Sequence, residues 1–333
     1  MCLGAVVIGA GRMGREHALA VTAAGDEVLL VVDPDLTRAT TLASEFRARA
    51  VGLDGDLGEV LGDVGVPASR TPVIIASPSA MHLDQASVAL RLGFPVLLEK
   101  PPWVPGQDVA NLVAEADRGV LAVGMTTRFA PGVQALREAV RRGELGRVEW
   151  LSDVVAFTVD PVVPLPSWYL DPLRSGGGVL VTNGVHSLDR VAWILGSALA
   201  LEDVRLSSEF LGTCEDTAFL RLDGGGPCVT VTEIWGPGPV PPSQILIVGT
   251  RGTAWADSAG NWTVASMSGS SAGAPLPGHL NLQAQWRSFR DVVTRGTWDD
   301  VLPRVRELLP SMALLEQALA RRVGTEKLEY GAS

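Results

Sequence analysis

Three groups of residues in this sequence are of types and spacings that could do chemistry. The first is Gly9-Ala10-Gly11-Arg12-Met13-Gly14. Gly9 permits a tight turn, Gly11 lets the backbone approach a pyrophosphate, and Gly14 lets a helix pack closely on a strand. Asp33 follows Gly14 by 19 residues, the distance at which a carboxylate accepts hydrogen bonds from a ribose hydroxyl. A carboxylate there repels a 2'-phosphate, and Pro34 and Asp35 come next instead of an arginine. NAD is therefore expected over NADP, with Arg38 the residue that moderates this preference. The competing reading is a glycine turn beside an unrelated acidic loop. The strand before, the helix after and the acid in register tell against it.

The second group is Glu99-Lys100-Pro101, at the end of the apolar run LGFPVLL. An ammonium at the C-terminal edge of a parallel sheet sits where ligands bind in such folds. It can hydrogen-bond a reacting oxygen and steady negative charge there. Taken alone, the three residues read equally as a surface lysine before a Pro-Pro turn, with Glu99 as its partner. The third group is Gly176-Gly177-Gly178 followed by Thr182-Asn183-Gly184-Val185-His186-Ser187-Leu188-Asp189. His186 falls in the first turn of a helix, whose N-terminus disfavours imidazolium, while Asp189 three residues on favours it. That balance is expected to leave the ring titratable near neutrality, as general acid–base work needs. A helix-start histidine satisfied by backbone is the alternative. Trp168 and Tyr169 precede the glycine run. They could stack on a sugar ring, although packing of an irregular loop is the commoner use, and Tyr169 is also a second candidate proton donor. Arg174 reads as a partner for a phosphate or carboxylate, or as a solvated arginine. His17 and His279 carry no motif.

The elements that must position these residues change character along the chain. Residues 1–122 alternate short β-branched runs (5–9, 28–33, 50–51, 73–77, 96–99, 120–125) with helical patterns (12–24, 36–46, 57–61, 84–92), which implies a doubly wound parallel sheet. Residues 123–333 begin with a helix over 133–142, pass through a proline-rich irregular stretch at 161–172, and continue with a helix over 185–195. Strand-like runs between 204 and 264 lack crossover helices, so an antiparallel sheet is expected. Residues 266–278 read as a low-complexity loop. Two helices, 281–294 and 305–320, close the chain, and Pro310 is expected to kink or break the second.

A chain of 333 residues with 47% hydrophobic residues has material for two cores. A net charge of -10 argues against nucleic acid and anionic membranes as partners. Cys2, Cys214 and Cys228 have no CxxC spacing, and with four histidines neither a disulfide framework nor a metal site is expected. No signal peptide or membrane span is read, so the expected location is the cytoplasm.

In order and spacing, GAGRMG, Ala76-Ser77-Pro78-Ser79-Ala80-Met81-His82, Glu99-Lys100-Pro101 and GGG…GVHSLD resemble the glucose-fructose oxidoreductase / inositol dehydrogenase / MocA family. The resemblance runs over nearly the whole chain and includes Arg128-Phe129, Leu136-Arg137 and Gly143-Glu144-Leu145-Gly146. It implies a Rossmann domain followed by an α/β domain with an open sheet through which the protein oligomerises as a dimer or tetramer. It also implies hydride transfer between NAD and a secondary alcohol or ketone of a sugar, cyclitol or similar polyol. Lys100 would polarise the oxygen and His186 would handle the proton. Gly9, Gly11, Arg12, Met13, Gly14, Asp33, Ser77, Pro78, His82, Glu99 and Lys100 would hold the cofactor. Trp168, Tyr169, Thr182, Asn183 and His186, with Lys100, would meet the substrate. The family often has an acid where Thr182 stands, which puts a carboxylate proton relay there in doubt, and tends to have Asn where Thr126 stands. The alternatives are a non-catalytic nucleotide-binding regulatory protein, or a family enzyme that reduces another unsaturated group or cleaves glycosides by a redox-assisted route.

Overall fold

The computed structural model describes residues 2–159, 165–274 and 277–321. The first half runs β1 (Gly4–Ile8), α1 (Arg12–Ala23), β2 (Glu27–Asp33), α2 (Leu36–Phe46), β3 (Arg49–Gly52), α3 (Leu57–Gly62), β4 (Val73–Ile75), α4 (His82–Arg91), β5 (Val96–Leu98), α5 (Ala110–Ala116) and β6 (Leu121–Val123). Its strands form one parallel sheet in the order β3-β2-β1-β4-β5-β6. The runs in β1, β4, β5 and β6 are almost wholly buried because helices cover both faces, which leaves no solvent side for polar alternation. The strand order reverses direction between β1 and β4, which opens a crevice at their C-terminal ends.

The second half runs α6 (Pro131–Arg141), β7 (Val148–Thr158), α7 (Pro172–Ser175), α8 (Val185–Leu195) and β8 (Ala200–Ser207). It continues with β9 (Thr217–Asp223), β10 (Cys228–Gly236), β11 (Gln244–Gly249), β12 (Gly252–Asp257), β13 (Trp262–Ser266), β14 (Gly269–Gly273), α9 (His279–Arg295) and α10 (Val305–Arg321). Eight strands form one sheet in the order β14-β13-β12-β11-β7-β10-β9-β8. The β7–β10 pair is parallel and the other neighbours are antiparallel. The α6 and α8 helices pack on one face of this sheet.

The last two helices return to the first half. The carboxylate of Asp26 accepts from the Trp286 indole (2.9 Å) and from the Leu3 amide (2.9 Å), which docks α9 on α1. The Val123 amide donates to the Pro303 carbonyl (3.1 Å), tying the lead-in to α10 to β6.

The structure departs from the sequence reading in five places. The central strand β7 was not expected from sequence; its polar residues at 149, 152 and 153 mask the strand period. The short helix α5 was likewise missed. The Ser/Gly stretch expected as loop contributes β14, which pairs with β13 from Gly269 to Gly273. The proline-rich stretch holds a 3-10 turn (Ser167–Leu170) and α7, while 161–164 lie outside the described residues. Finally, α10 runs unbroken through Pro310. The proline lies on the exposed side, where the Arg306 carbonyl that lost its donor meets water, and Leu308, Met312 and Leu315 are buried on either side of it.

Candidate active site

The glycine motif forms the turn from β1 into α1. Gly9 has φ +101, and a Cβ on it would lie 2.6 Å from the Ala76 carbonyl oxygen. A Cβ on Gly14 would lie 1.9 Å from the Gly9 carbonyl oxygen, so the helix can pack this closely only with glycine there. At Gly11 the nearest atom a Cβ would meet is the tip of Arg38 at 3.5 Å, so the backbone faces open space. Gly11 is also the N-cap of α1 and supplies no side-chain cap, which leaves the first-turn amides free for an anion. Asp33 is nearly buried at the end of β2. Its carboxylate accepts from the Ala10 amide (2.8 Å) and the Asp35 amide (3.0 Å), which leaves further lone pairs beside the cleft.

Gly9, Gly11 and Asp33 line a cleft of about 900 Å³, whose wall also includes Arg12, Met13, Ser77, Pro78 and Arg38. Its opposite wall comes from the second half and carries Trp168, Tyr169, Arg174 and Trp235. Trp168 and Tyr169 have ring centroids 4.1 Å apart, and Tyr169 and Trp235 6.2 Å apart. Burial pushes the Tyr169 phenol above its ordinary pKa, against the pull of the Arg12 guanidinium on its oxygen. A dinucleotide fits this cleft: open glycine backbone, uncapped helix amides and a carboxylate at the ribose edge are the groups it needs.

A second chamber of about 740 Å³ adjoins the first, with Asn183 and Phe157 on the walls of both. Its walls include Thr127, Asp153, His186 and Arg190. Among the described residues, three buried polar atoms on this wall have no hydrogen-bond partner: Thr127 Oγ1, Asn183 Nδ2 and His186 Nδ1. Native proteins rarely leave such groups unpaired unless a ligand or water completes them.

Asn183 belongs to a π turn, Leu180–Gly184, that leads into α8. Lys100 Nζ donates to the Thr182 carbonyl in this turn (2.7 Å). Irregular helix of this kind commonly marks functional sites. The Thr182 hydroxyl donates backwards to the Gly178 carbonyl (2.8 Å) and is buried. Thr182 therefore offers its backbone to Lys100, not its hydroxyl to a ligand. Burial pushes the Lys100 ammonium below its ordinary pKa, against the attraction of Glu99.

Two expected cofactor contacts are committed elsewhere. Glu99 accepts from the His17 ring (2.7 Å) and from the Lys100 amide (3.2 Å). Burial opposes its ionisation, yet the His17 hydrogen bond and charge hold its pKa below the ordinary value. His82 has both ring nitrogens on carbonyls, Pro101 at 2.7 Å and Ser77 at 2.9 Å, and burial lowers its pKa. It clamps the loop after β4 to the Lys100–Pro101 segment. Neither residue is on the wall of either cavity, and Lys100 lies behind the Asn183 turn and not on either wall itself.

His186 also differs from expectation. Asp189 does not face it: both carboxylate oxygens accept from the Arg128 guanidinium, at 2.6 and 2.8 Å. Burial, with Lys100 and Arg190 nearby, pushes the His186 pKa well below its ordinary value, so the ring is neutral at neutral pH.

Four participants were missed in the sequence. His17 is the partner of Glu99, and nothing in its spacing marks it. Asp153 and Arg190 form a buried bidentate pair (2.7–2.9 Å) on the chamber wall. Glu233 is fully buried on β10, where Oε1 accepts from Ser187 Oγ (2.5 Å) and Oε2 has no partner among the described residues. Burial pushes its pKa well above the ordinary carboxyl range. Its signal was legible in principle: Val229, Val231, Glu233 and Trp235 alternate inward, so a carboxyl stands in an apolar row.

Fold and cradle together define a two-part dinucleotide-binding protein with a second, open-sheet domain facing the crevice. Residues 3–126 match the family model "oxidoreductase family, NAD-binding Rossmann fold", and residues 133–255 match the GFO/IDH/MocA C-terminal domain. The chain belongs to the GFO/IDH/MocA oxidoreductase family. It is 31% identical over 193 residues to the rhizopine catabolism protein MocA of Rhizobium meliloti, covering 57% of this chain and 56% of that protein. It is 29% identical to the myo-inositol dehydrogenase Hyg17 of Streptomyces leeuwenhoekii over 69% of this chain and 70% of that one. Among solved structures, GenD2 from gentamicin A biosynthesis in complex with NAD superposes with a TM-score of 0.80 at 25% identity, covering 97% of this chain and 94% of that one. Levoglucosan dehydrogenase in complex with NADH shares the fold, with a TM-score of 0.84 at 18% identity over 96% and 98% of the two chains. No described helix is long and apolar enough to cross a membrane.

Proposed function

We propose that this protein is an NAD-dependent dehydrogenase acting on a secondary alcohol of a sugar, cyclitol or similar polyol. In this reading residues 1–122 bind the dinucleotide and residues 123–333 bind the substrate and a second protomer. The observation that carries it is the chamber that opens onto the dinucleotide cleft at Asn183, with three orphaned polar atoms on its wall. A hydroxyl-rich ligand both donates and accepts, so it satisfies an amide N–H, a ring nitrogen and a hydroxyl together. Bound NAD supplies the hydride acceptor. His186, neutral and with Nδ1 unpartnered, takes the proton of the reacting hydroxyl. Lys100, fixed by the Thr182 carbonyl, has two further N–H groups with which to hold that oxygen as charge develops on it. Asp33 at the ribose edge favours NAD over NADP. The outer face of the large sheet carries Trp150 beside Val248 and Trp255 beside Leu246, both tryptophans being 37% exposed. Such a face supports a homodimer or homotetramer.

The test is NADH formation, read at the nicotinamide absorbance band, with a panel of polyols, aldoses and cyclitols, and the reverse reaction with keto sugars. Turnover that falls in Lys100→Ala while NAD affinity is kept supports the reading. NAD binding without turnover of any panel member would instead favour a non-catalytic nucleotide-binding role.

A further inference from the structure

The helix that carries His186 is tied in two directions. On the sheet side Ser187 donates to Glu233 and Arg190 pairs with Asp153, which fixes α8 to the large sheet. Toward the first half the same segment is held at two further places. Lys100 Nζ donates to the Thr182 carbonyl in the π turn that precedes the helix. The Asp189 carboxylate takes both arms of the Arg128 guanidinium, at 2.6 and 2.8 Å. His186 lies between these two, four residues beyond Thr182 and three before Asp189.

Arg128 belongs to a 3-10 turn, Thr126–Phe129, that follows β6 at the exit of the parallel sheet. The turn is rooted in the first half. Phe129 is buried in one apolar cluster with Val7, Ala18 and Ile74, and the Thr126 hydroxyl donates to the Gln285 side chain on α9 (3.0 Å). The Arg128 guanidinium also lies 5.3 Å from the centre of the Trp193 ring. Trp193 is one helical turn beyond Asp189, so Arg128 holds α8 on two successive turns. Both charges of the pair are buried. Apolar side chains of the same size would serve stability as well, because they have no charge to desolvate. What the guanidinium adds is direction, since two parallel N–H···O bonds fix one orientation of the carboxylate.

We infer that Arg128 is a positioning residue for the proton step: through Asp189 it holds His186 in register with the dinucleotide-binding half. This rests on the reading of His186 as the group that takes the proton. Without the Arg128 fork, α8 and the sheet behind it can pivot on the Lys100 tie. His186 is four residues, or about 6 Å of helix, from that pivot. A rotation of about 10° then moves it by roughly 1 Å, and a misplacement of that size can cost ~10²-fold in rate. NAD is held by the glycine turn and Asp33, so its binding is expected to stay as it is.

The test separates position from stability. Arg128→Met/Asp189→Leu replaces the pair by apolar side chains, and Arg128→Lys keeps the charge but loses the two-armed contact. Both variants are compared with wild type in kcat and in KM for NAD, using a polyol that the wild type oxidises. They are also labelled with 13C in the histidine rings and loaded with NADH, the His186 signal being assigned by its absence in His186→Gln. In both, kcat is expected to fall ~10²-fold with KM for NAD nearly unchanged. The His186 signal is expected to shift or split, while those of His17 and His82 in the first half stay in place. Wild-type kcat or an unmoved His186 signal, in a double variant that melts like wild type, overturns the inference. If the double variant does not fold, Arg128→Lys decides: a shift of all three signals with weaker NADH binding makes the pair purely structural and overturns it too. If the wild type oxidises no polyol, the dehydrogenase reading fails, and the histidine signals alone decide whether Arg128 positions His186.

Discussion

Replacing Glu233 by glutamine tests the electrostatics under the site most directly. Glutamine keeps the shape and still accepts from Ser187 Oγ, but it cannot ionise. The wild-type carboxyl is fully buried with one oxygen unpartnered, and burial holds its pKa well above the ordinary 4.5. The folded state therefore keeps a proton that the unfolded chain releases above about pH 4.5. Folding takes up that proton, so this group costs stability as pH rises from the unfolded value towards the folded one. The slope is at most about 1.4 kcal/mol per pH unit, which sets an upper bound of roughly 2 kcal/mol between about pH 5 and pH 6.5. Guanidinium unfolding of both proteins at these two pH values, followed by tryptophan fluorescence, measures it. The stability of Glu233→Gln relative to wild type should rise by up to that amount across the window. A difference that does not change with pH would refute the reasoning. It would mean that Glu233 is ionised in the fold, with Lys100 as its counter-charge, and the glutamine variant would then be destabilised throughout.

Three further outcomes are expected. His186→Gln should lower turnover by ~10²–10⁴-fold if the ring moves the proton; because its pKa lies well below 6.5, the limb it governs should appear only on the acid side of the pH–rate profile, and an unchanged profile would move the role to Tyr169. Gly14→Ala should abolish NAD binding and lower the melting temperature, because its Cβ would lie 1.9 Å from the Gly9 carbonyl oxygen; wild-type NAD affinity by fluorescence titration would show that the turn is looser than described. Asp33→Ala should narrow the preference for NAD over NADP, and should also cost stability, since the carboxylate holds the Ala10 and Asp35 amides; cofactor titration and thermal melting separate the two effects.

The parallel half was legible from sequence because its signals are local. Glycines that require unusual backbone, β-branched runs and one acid in register fix β1, α1 and β2 without knowledge of what packs on them. The second half was less legible where the cause of structure is distant. β7 is a strand because β10 and β11 flank it, and β14 exists because β13 offers a backbone edge. Within the site, Lys100 and His186 were found by motif, but their surroundings were not. The partner of Lys100 is a main-chain carbonyl 82 positions away, and Asp189 was assigned to His186 by helical spacing when Arg128, from another element, held it. Sequence spacing describes neighbours along one element, and this site is assembled from several.

The clamp on Asp26 has a consequence for how the molecule is made. Its indole partner lies 260 residues further along the chain, and α9 covers α1, part of the half that is synthesised earlier. At 5–20 residues per second, the ribosome needs roughly 13–52 s to deliver that helix. For this interval the nascent first half has its sheet and cofactor turn but bares the surface that Trp286 and Phe289 later bury. The dinucleotide turn is complete long before its outer wall arrives, so NAD can shelter the emerging half before the second chamber exists at all.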